Sequence, residues 1–270
     1  WTKATISIRS TVAVSPQNVL IVRVAAGGLG LHARHNPQLR TNQLLSCSIT
    51  NDITIIHGDS LSLCGEWSSD AALITDPPYG MSYKSHHNSG RGDCDMIRKD
   101  GNFKPIEGDD IPFDPSPWLR FKYVCLFGAQ HFASKLPDRR GWFVWDKLAG
   151  KTPCSQSDCE LAWTNQDKPV RIFTHLWRGI MRDGEENVVH GGKLHPNQKP
   201  AALMRWAIEQ LGVPQGTTVY DPFMGSGTVG LVCHRMGLRY VGVEIDRDHF
   251  ETAKKRLQTQ CQQLMLGLPG

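Results

Sequence analysis

The 270-residue chain contains no C-x-x-C pair, no lysine in its glycine-rich loop and no apolar run long enough to span a bilayer. Each absence removes a class of protein. A spanning helix needs roughly 20 apolar residues, and Val19 to Ala26 is short and interrupted by Arg23. Thr2 to Gly30 only loosely resembles a secretory leader, so a cytoplasmic protein without a membrane partner is expected. The eight cysteines are scattered, several inside apolar runs, as free thiols in a reducing compartment are. Cys154 and Cys159 with the distant His86 and His87 lack zinc-site spacing, so no metal is expected. A net charge of +4 permits a polyanionic partner without demonstrating one.

What is present points to one large α/β domain over residues 51–270. Residues 1–50 show no steady period and mix Ser, Thr, Gln, Asn and Gly; they read as a poorly ordered extension, and whether they are native to the domain is left open. From Ile53 onward, short apolar runs alternate with turns and helical patterns: strands at Ile53 to Asp59, Ala71 to Ile74, Tyr123 to Phe127, Trp142 to Trp145, Glu160 to Thr164 and Val170 to Thr174, with a helix expected at Ala129 to Leu136. Leu203, Met204, Ala207, Ile208 and Leu211 recur at helical spacing and stop at Gly212 and Pro214. A strand at Thr217 to Tyr220, a helix at Val229 to Met236, a strand at Arg239 to Val243 and a helix at His249 to Leu264 follow.

Two stretches concentrate chemistry. The run Ala71 to Ile74 breaks at Asp76-Pro77-Pro78-Tyr79. An ionised aspartate only accepts hydrogen bonds, and prolines remove N–H donors, so this turn offers acceptors to an amino group while Tyr79 offers a stacking face. Taken alone, it could also be a proline-rich turn whose aspartate caps a helix. Farther on, Asp221-Pro222-Phe223-Met224-Gly225-Ser226-Gly227-Thr228 joins a strand to a helix. Its glycines let backbone approach a ligand closely, and the helix directs free N–H groups at the same place. The missing lysine disfavours triphosphate chemistry. Glu244 closes the next strand, where dinucleotide-binding folds keep an acid for ribose hydroxyls. Asp59 ends the Ile53 strand and is either a ligand contact or a helix cap.

The order Asp76 to Tyr79 (DPPY), His195 to Pro200 (HPNQKP), Asp221 to Thr228 (DPFMGSGT) and Gly242 to Asp246 (GVEID) resembles the DNA amino-methyltransferases of the β arrangement; WDK at Trp145 to Lys147 and CELAW at Cys159 to Trp163 look similar to short phage-type members. The resemblance covers Ile53 to Leu264. It implies a Rossmann-like methyltransferase fold, with a mostly parallel sheet, helices on both faces, a circularly permuted motif order and a small inserted target-recognition element. It further implies methyl transfer from S-adenosylmethionine to an exocyclic base nitrogen. On that pattern Asp221, Phe223, Gly225 and Gly227 line the methionine part of the cofactor, with Pro222, Ser226 and Thr228 completing the loop. Glu244 binds the ribose, Lys199 sits near the cofactor carboxylate and Asp59 near the adenine. Asp76, Pro77, Pro78 and Tyr79 hold a base flipped from double-stranded DNA.

With aspartate rather than serine at position 76, the motif resembles adenine N6 enzymes more than cytosine N4 enzymes. A cytosine N4 enzyme and an inactive DNA-binding phage remnant are the alternatives. Residues 84–117 are polar and aperiodic, as a lid is, with Lys84 and Arg91 as phosphate contacts. Residues 170–193 would form the target-recognition region, with Arg178 and Arg182 contacting DNA. The oligomeric state, monomer or homodimer, is open.

Overall fold

The computed structural model describes residues 12–14, 19–22, 44–81, 108–153, 157–178, 181–183 and 198–265. Its strands are β1 (Val12–Val14), β2 (Val19–Val22), β3 (Leu44–Ser48), β4 (Ile53–His57), β5 (Ala72–Thr75), β6 (Tyr123–Phe127), β7 (Trp142–Asp146), β8 (Cys159–Thr164), β9 (Arg171–Thr174), β10 (Trp177–Arg178), β11 (Met181–Arg182), β12 (Thr218–Asp221) and β13 (Arg239–Glu244). The helices are α1 (Ala201–Leu211), α2 (Thr228–Arg235) and α3 (Arg247–Met265). Among the described residues no helix is long and apolar enough to cross a membrane.

Eleven strands form one sheet in the order β1-β2-β3-β4-β13-β12-β5-β6-β8-β7-β9. Its centre, β4-β13-β12-β5-β6, is parallel throughout. The carboxyl ends of these five strands therefore share one edge, where open α/β sheets place their ligands. β8 runs antiparallel to β6 and β7. That reversal brings the start of β8, rather than its end, to the same edge. The result is a Rossmann-like α/β sheet in permuted chain order.

Buried strands alternate between two cores, as period-2 geometry requires. Ala72 and Ile74 of β5 and Cys125 and Phe127 of β6 join one cluster; Leu73, Val124 and Leu126 join the other. The first cluster takes buried apolar residues from all three helices: Leu203, Met204, Ala207, Ile208 and Leu211 of α1, Val229, Leu231, Val232 and Cys233 of α2, and Phe250, Ala253 and Leu257 of α3. The α1 residues are those that helical spacing selects, and Gly212, at φ 73°, ends the helix in the left-handed region. The second cluster is aromatic: Trp67, Phe113, Trp118, Phe121 and Phe132 cover that face from loops and short 3-10 turns. Helices on both faces were expected; among the described residues the α-helices pack on the first face and 3-10 helices lie on the second.

Two further expectations change. The helix expected at Ala129 to Leu136 is two 3-10 turns, Ala129–His131 and Ala133–Lys135. Gly128 at φ 66° precedes them, and Phe132 at φ −135° interrupts helical geometry between them. The first 50 residues do not stand wholly outside the domain. β3 pairs antiparallel with β4 and buries Cys47, and β2 and β1 add on beyond it. Peripheral strands leave a weaker hydrophobic pattern than those buried on both faces, which is why periodicity missed them.

Trp67 lies face to face with Tyr220 of β12, ring centroids 4.5 Å apart and planes within 4°. It also packs against Trp118 and Phe121. Trp67→Ala is expected to lower the unfolding free energy by about 3–5 kcal/mol. Urea denaturation of both proteins measures this; an unchanged midpoint would mean the aromatic layer does not support the sheet.

Candidate active site

β5 is fully buried and delivers Asp76 to the carboxyl edge of the sheet. Both oxygens of Asp76 are engaged: Oδ1 accepts from the Tyr79 hydroxyl, and Oδ2 accepts from Lys199 Nζ at 2.5 Å. Lys199 Nζ also lies 3.1 Å from Glu160 Oε1 and 3.4 Å from Tyr79 Oη. Burial pulls the Lys199 ammonium down, but the Asp76 and Glu160 carboxylates outweigh it and hold its pKa above the ordinary value. Burial, then the Asp76 charge, push the Tyr79 hydroxyl well up. Tyr79 therefore keeps its proton at neutral pH and donates a hydrogen bond to Asp76.

The turn is held from outside by Asp109. Its Oδ1 accepts the backbone N–H groups of Tyr79, Gly80 and Met81 at 3.0, 2.9 and 3.2 Å. The Tyr79 ring stacks on His131, centroids 4.7 Å apart. It also lies so close to Gly128 that a Cβ there would overlap it, and Gly128 is left-handed besides. Only glycine suits that position.

On the adjacent strand, Asp221 opens the glycine loop. Its Oδ1 accepts from Thr75 Oγ1 of β5 at 2.7 Å and its Oδ2 from Tyr240 Oη of β13 at 3.1 Å. The carboxyl group thus spans three neighbouring strands below both loops. Burial pushes its pKa up to about 7, against the pull of the two hydroxyls. Gly225 and Gly227, at φ 52° and 74°, turn the chain into α2. Glu244 fastens the loop from the next strand: Oε2 accepts from Gly225 N and Oε1 from Asp246 N, each at 2.9 Å. A carboxylate has about four acceptor positions, so Glu244 keeps capacity for a ligand hydroxyl. Burial raises its pKa against the pull of those N–H groups.

Several of the expected site residues have partners within the protein itself. Lys199, expected beside the cofactor carboxylate, is paired with Asp76. Asp221 spends its carboxyl group on Thr75 and Tyr240. Ser226 and Thr228 are buried, and Arg256 of α3 donates to the Ser226 carbonyl and to both hydroxyls. Asp59, left open between ligand contact and cap, caps the turn Ser60–Ser62 by accepting from Leu61 N at 2.9 Å. Pro77 is buried, and Pro78 is half-buried. Phe223, following Pro222, meets Phe113 and Trp118 edge-on at 5.7 Å. Phe113 belongs to the expected lid, whose described end is therefore packed against the glycine loop.

Of the expected recognition region 170–193, the described residues place Arg171–Thr174 as an edge strand of the main sheet and Trp177–Arg178 with Met181–Arg182 as a separate hairpin, which carries Arg178 and Arg182. Lys84 and Arg91 lie outside the described residues. Among those residues no group of three His, Cys, Asp or Glu side chains is placed to hold a metal ion. The sequence assigns no role to Asp109, to Glu160 within the CELAW stretch, or to Arg256. The first is hidden in a polar aperiodic stretch, and the other two sit in an ordinary strand and helix.

The sequence pattern of a DNA methylase family, N6_N4_Mtase, matches residues 139–255. The chain is 38% identical to the Type II methyltransferase M2.DpnII of Streptococcus pneumoniae, the alignment covering 78% of this chain and 91% of that protein. It is 34% identical to the Type II methyltransferase M2.LlaDCHI of Lactococcus lactis subsp. cremoris, over 75% and 88% respectively. Among solved structures, the M1.HpyAVI-SAM complex matches at 23% identity with a TM-score of 0.46, covering 76% of this chain and 99% of that one.

The Asp221 carboxyl yields a pH prediction. With its folded pKa near 7, above the ordinary 3.8, the folded state binds more protons than the unfolded state between about pH 4 and 7. Its contribution to stability therefore falls as pH rises through that window, by on the order of a few kcal/mol, and levels off above it. Asp221→Asn should remove this slope. Chemical denaturation of both proteins at pH 5 and pH 7.5 tests it; parallel pH dependences would contradict a buried, raised carboxyl.

Proposed function

The chain belongs to the N6/N4 DNA methylase family, and from that premise we propose that it methylates the exocyclic N6 of adenine in double-stranded DNA at a specific sequence, with S-adenosylmethionine as donor. The observation that carries this reading is the adjacency of two loops. Asp76 leaves β5 and the Asp221 loop leaves β12, and these strands are neighbours. Paired strands lie roughly 4.8 Å apart, so an acceptor for an amino group stands beside a loop suited to a nucleoside. The Type II names of the relatives support a role as the modification half of a restriction system.

The residues around the glycine loop fit the donor. Gly225 and Gly227 present backbone without side chains, the first N–H groups of α2 face the loop, and Glu244 retains acceptor capacity for a ribose. When bound, S-adenosylmethionine supplies an electrophilic methyl group.

The protein's task is to make a poor nucleophile attack it. The lone pair of adenine N6 is conjugated with the ring. Hydrogen bonds from the amino group to the Asp76 carboxylate and the Pro77 carbonyl favour a pyramidal nitrogen whose lone pair points toward the donor. Tyr79 holds Asp76 through its hydroxyl, and Asp109 fixes the backbone carrying Tyr79. Positioning and fixed charge therefore provide most of the acceleration, without a covalent enzyme intermediate. The base has to leave the duplex first, at a cost of a few kcal/mol. Arg178 and Arg182 on the small hairpin are proposed DNA contacts, as are Lys84 and Arg91.

Unmethylated DNA incubated with the protein and methyl-labelled donor, then digested to nucleosides, is expected to carry label in deoxyadenosine. Label in deoxycytidine would overturn the choice of base, and no label in DNA would overturn the reading. Asp76→Ala is expected to lower kcat by at least about 100-fold, the scale on which a preorganised electrostatic contact acts, while cofactor affinity by calorimetry stays within threefold.

A further inference from the structure

In the proposed reaction Asp76 has to accept a hydrogen bond from an amino group, yet its Oδ2 is covered by the Lys199 ammonium at 2.5 Å. An aspartate neutralised in this way is a weak acceptor, so the ammonium has to go elsewhere when the base arrives. It cannot return to water cheaply, because the Lys199 side chain is only 10% exposed. A second carboxylate is within reach. Glu160 is the second residue of β8, whose start the antiparallel reversal brings to the carboxyl edge, and its side chain is 12% exposed. Its Oε1 lies 3.1 Å from Lys199 Nζ, yet this buried oxygen makes no well-formed hydrogen bond. Glu160 already shares the ammonium as an ion pair, with room for a better-aligned bond once Asp76 releases it.

We infer that Glu160 is a positioning residue that receives the Lys199 ammonium when the target base binds, freeing the full charge of Asp76 for the amino group. The inference rests on the reading of Asp76 as the amino-group acceptor. The three charges sum to −1 in either arrangement. With Lys199 on Asp76, the negative charge is on Glu160; with Lys199 on Glu160, it is on Asp76, where it polarises the amino group. The side chain rotates without changing the net charge of a buried site.

Substitutions at Glu160, alone and in a Lys199→Met background, test this, with wild-type activity measured in parallel. Glu160→Gln keeps the shape but offers no charge, so Lys199 stays on Asp76. It is expected to lower kcat at least tenfold while affinity for S-adenosylmethionine stays within threefold. Glu160→Asp, one methylene shorter, is expected to lose three- to tenfold. In a Lys199→Met background, introducing Glu160→Gln should cause no further loss, because no ammonium remains to be moved. Wild-type kcat in the glutamine variant, or an equal loss with and without Lys199, overturns the inference. Should the glutamine variant fail to bind cofactor, the aspartate variant decides: a loss that vanishes without Lys199 supports the inference, and kcat within twofold of wild type overturns it. If the wild type itself transfers no methyl group to DNA, the underlying reading of Asp76 fails instead.

Discussion

Thr75 and Asp221 are 146 residues apart in sequence and share a buried hydrogen bond of 2.7 Å. The other oxygen of the same carboxyl group takes the hydroxyl of Tyr240. Through this one side chain, β5, β12 and β13 are locked at a common level, one residue before the Asp76 turn and at the start of the glycine loop. Leaving such polar groups unpaired in a dry interior would be costly, so the three partners specify one another. The separation of the two loops, and hence the distance a methyl group would travel, is set here rather than within either loop.

The loops above this lock are braced in different ways. Proline stiffens the Asp76 turn from within, while Asp109 gathers three of its N–H groups from outside. The glycine loop has freedom in its own backbone and receives its order from elsewhere, with Glu244 on one side and Arg256 on the other. Phe113 joins the two systems, since it follows Asp109 closely in sequence and packs edge-on against Phe223. A disturbance in either half is thereby felt in the other.

Much of this architecture was legible in the sequence. Strands with apolar runs, the helical spacing of α1, and the loops at Asp76 and Asp221 all have local signatures. Partners set by tertiary contact have none. Nothing near Asp109 marks it as the anchor of a turn thirty residues earlier, and Glu160 reads as an ordinary strand residue until the direction of β8 is known. Lys199 and Asp221 illustrate a different limit. Their presence near the site followed from motif position, but what each side chain bonds to depended on the strands between which it falls. Peripheral β3, and with it β1 and β2, escaped notice because a strand at a sheet's margin needs little hydrophobic periodicity.

The permuted strand order also governs how the chain can fold. β4 and β5 are close in sequence, yet in the sheet they are held apart by β13 and β12, which come near the end of the chain. Until that last βαβ unit is made, the two early strands have no neighbour between them, and their inner edges are open to wrong pairing. Completing the sheet means inserting a late segment into its middle, a high-contact-order step that is slow by its topology. The shared edge of the parallel strands is therefore completed only when that unit is in place, and a chain cut short before β12 lacks both the glycine loop and the strands that join β4 to β5.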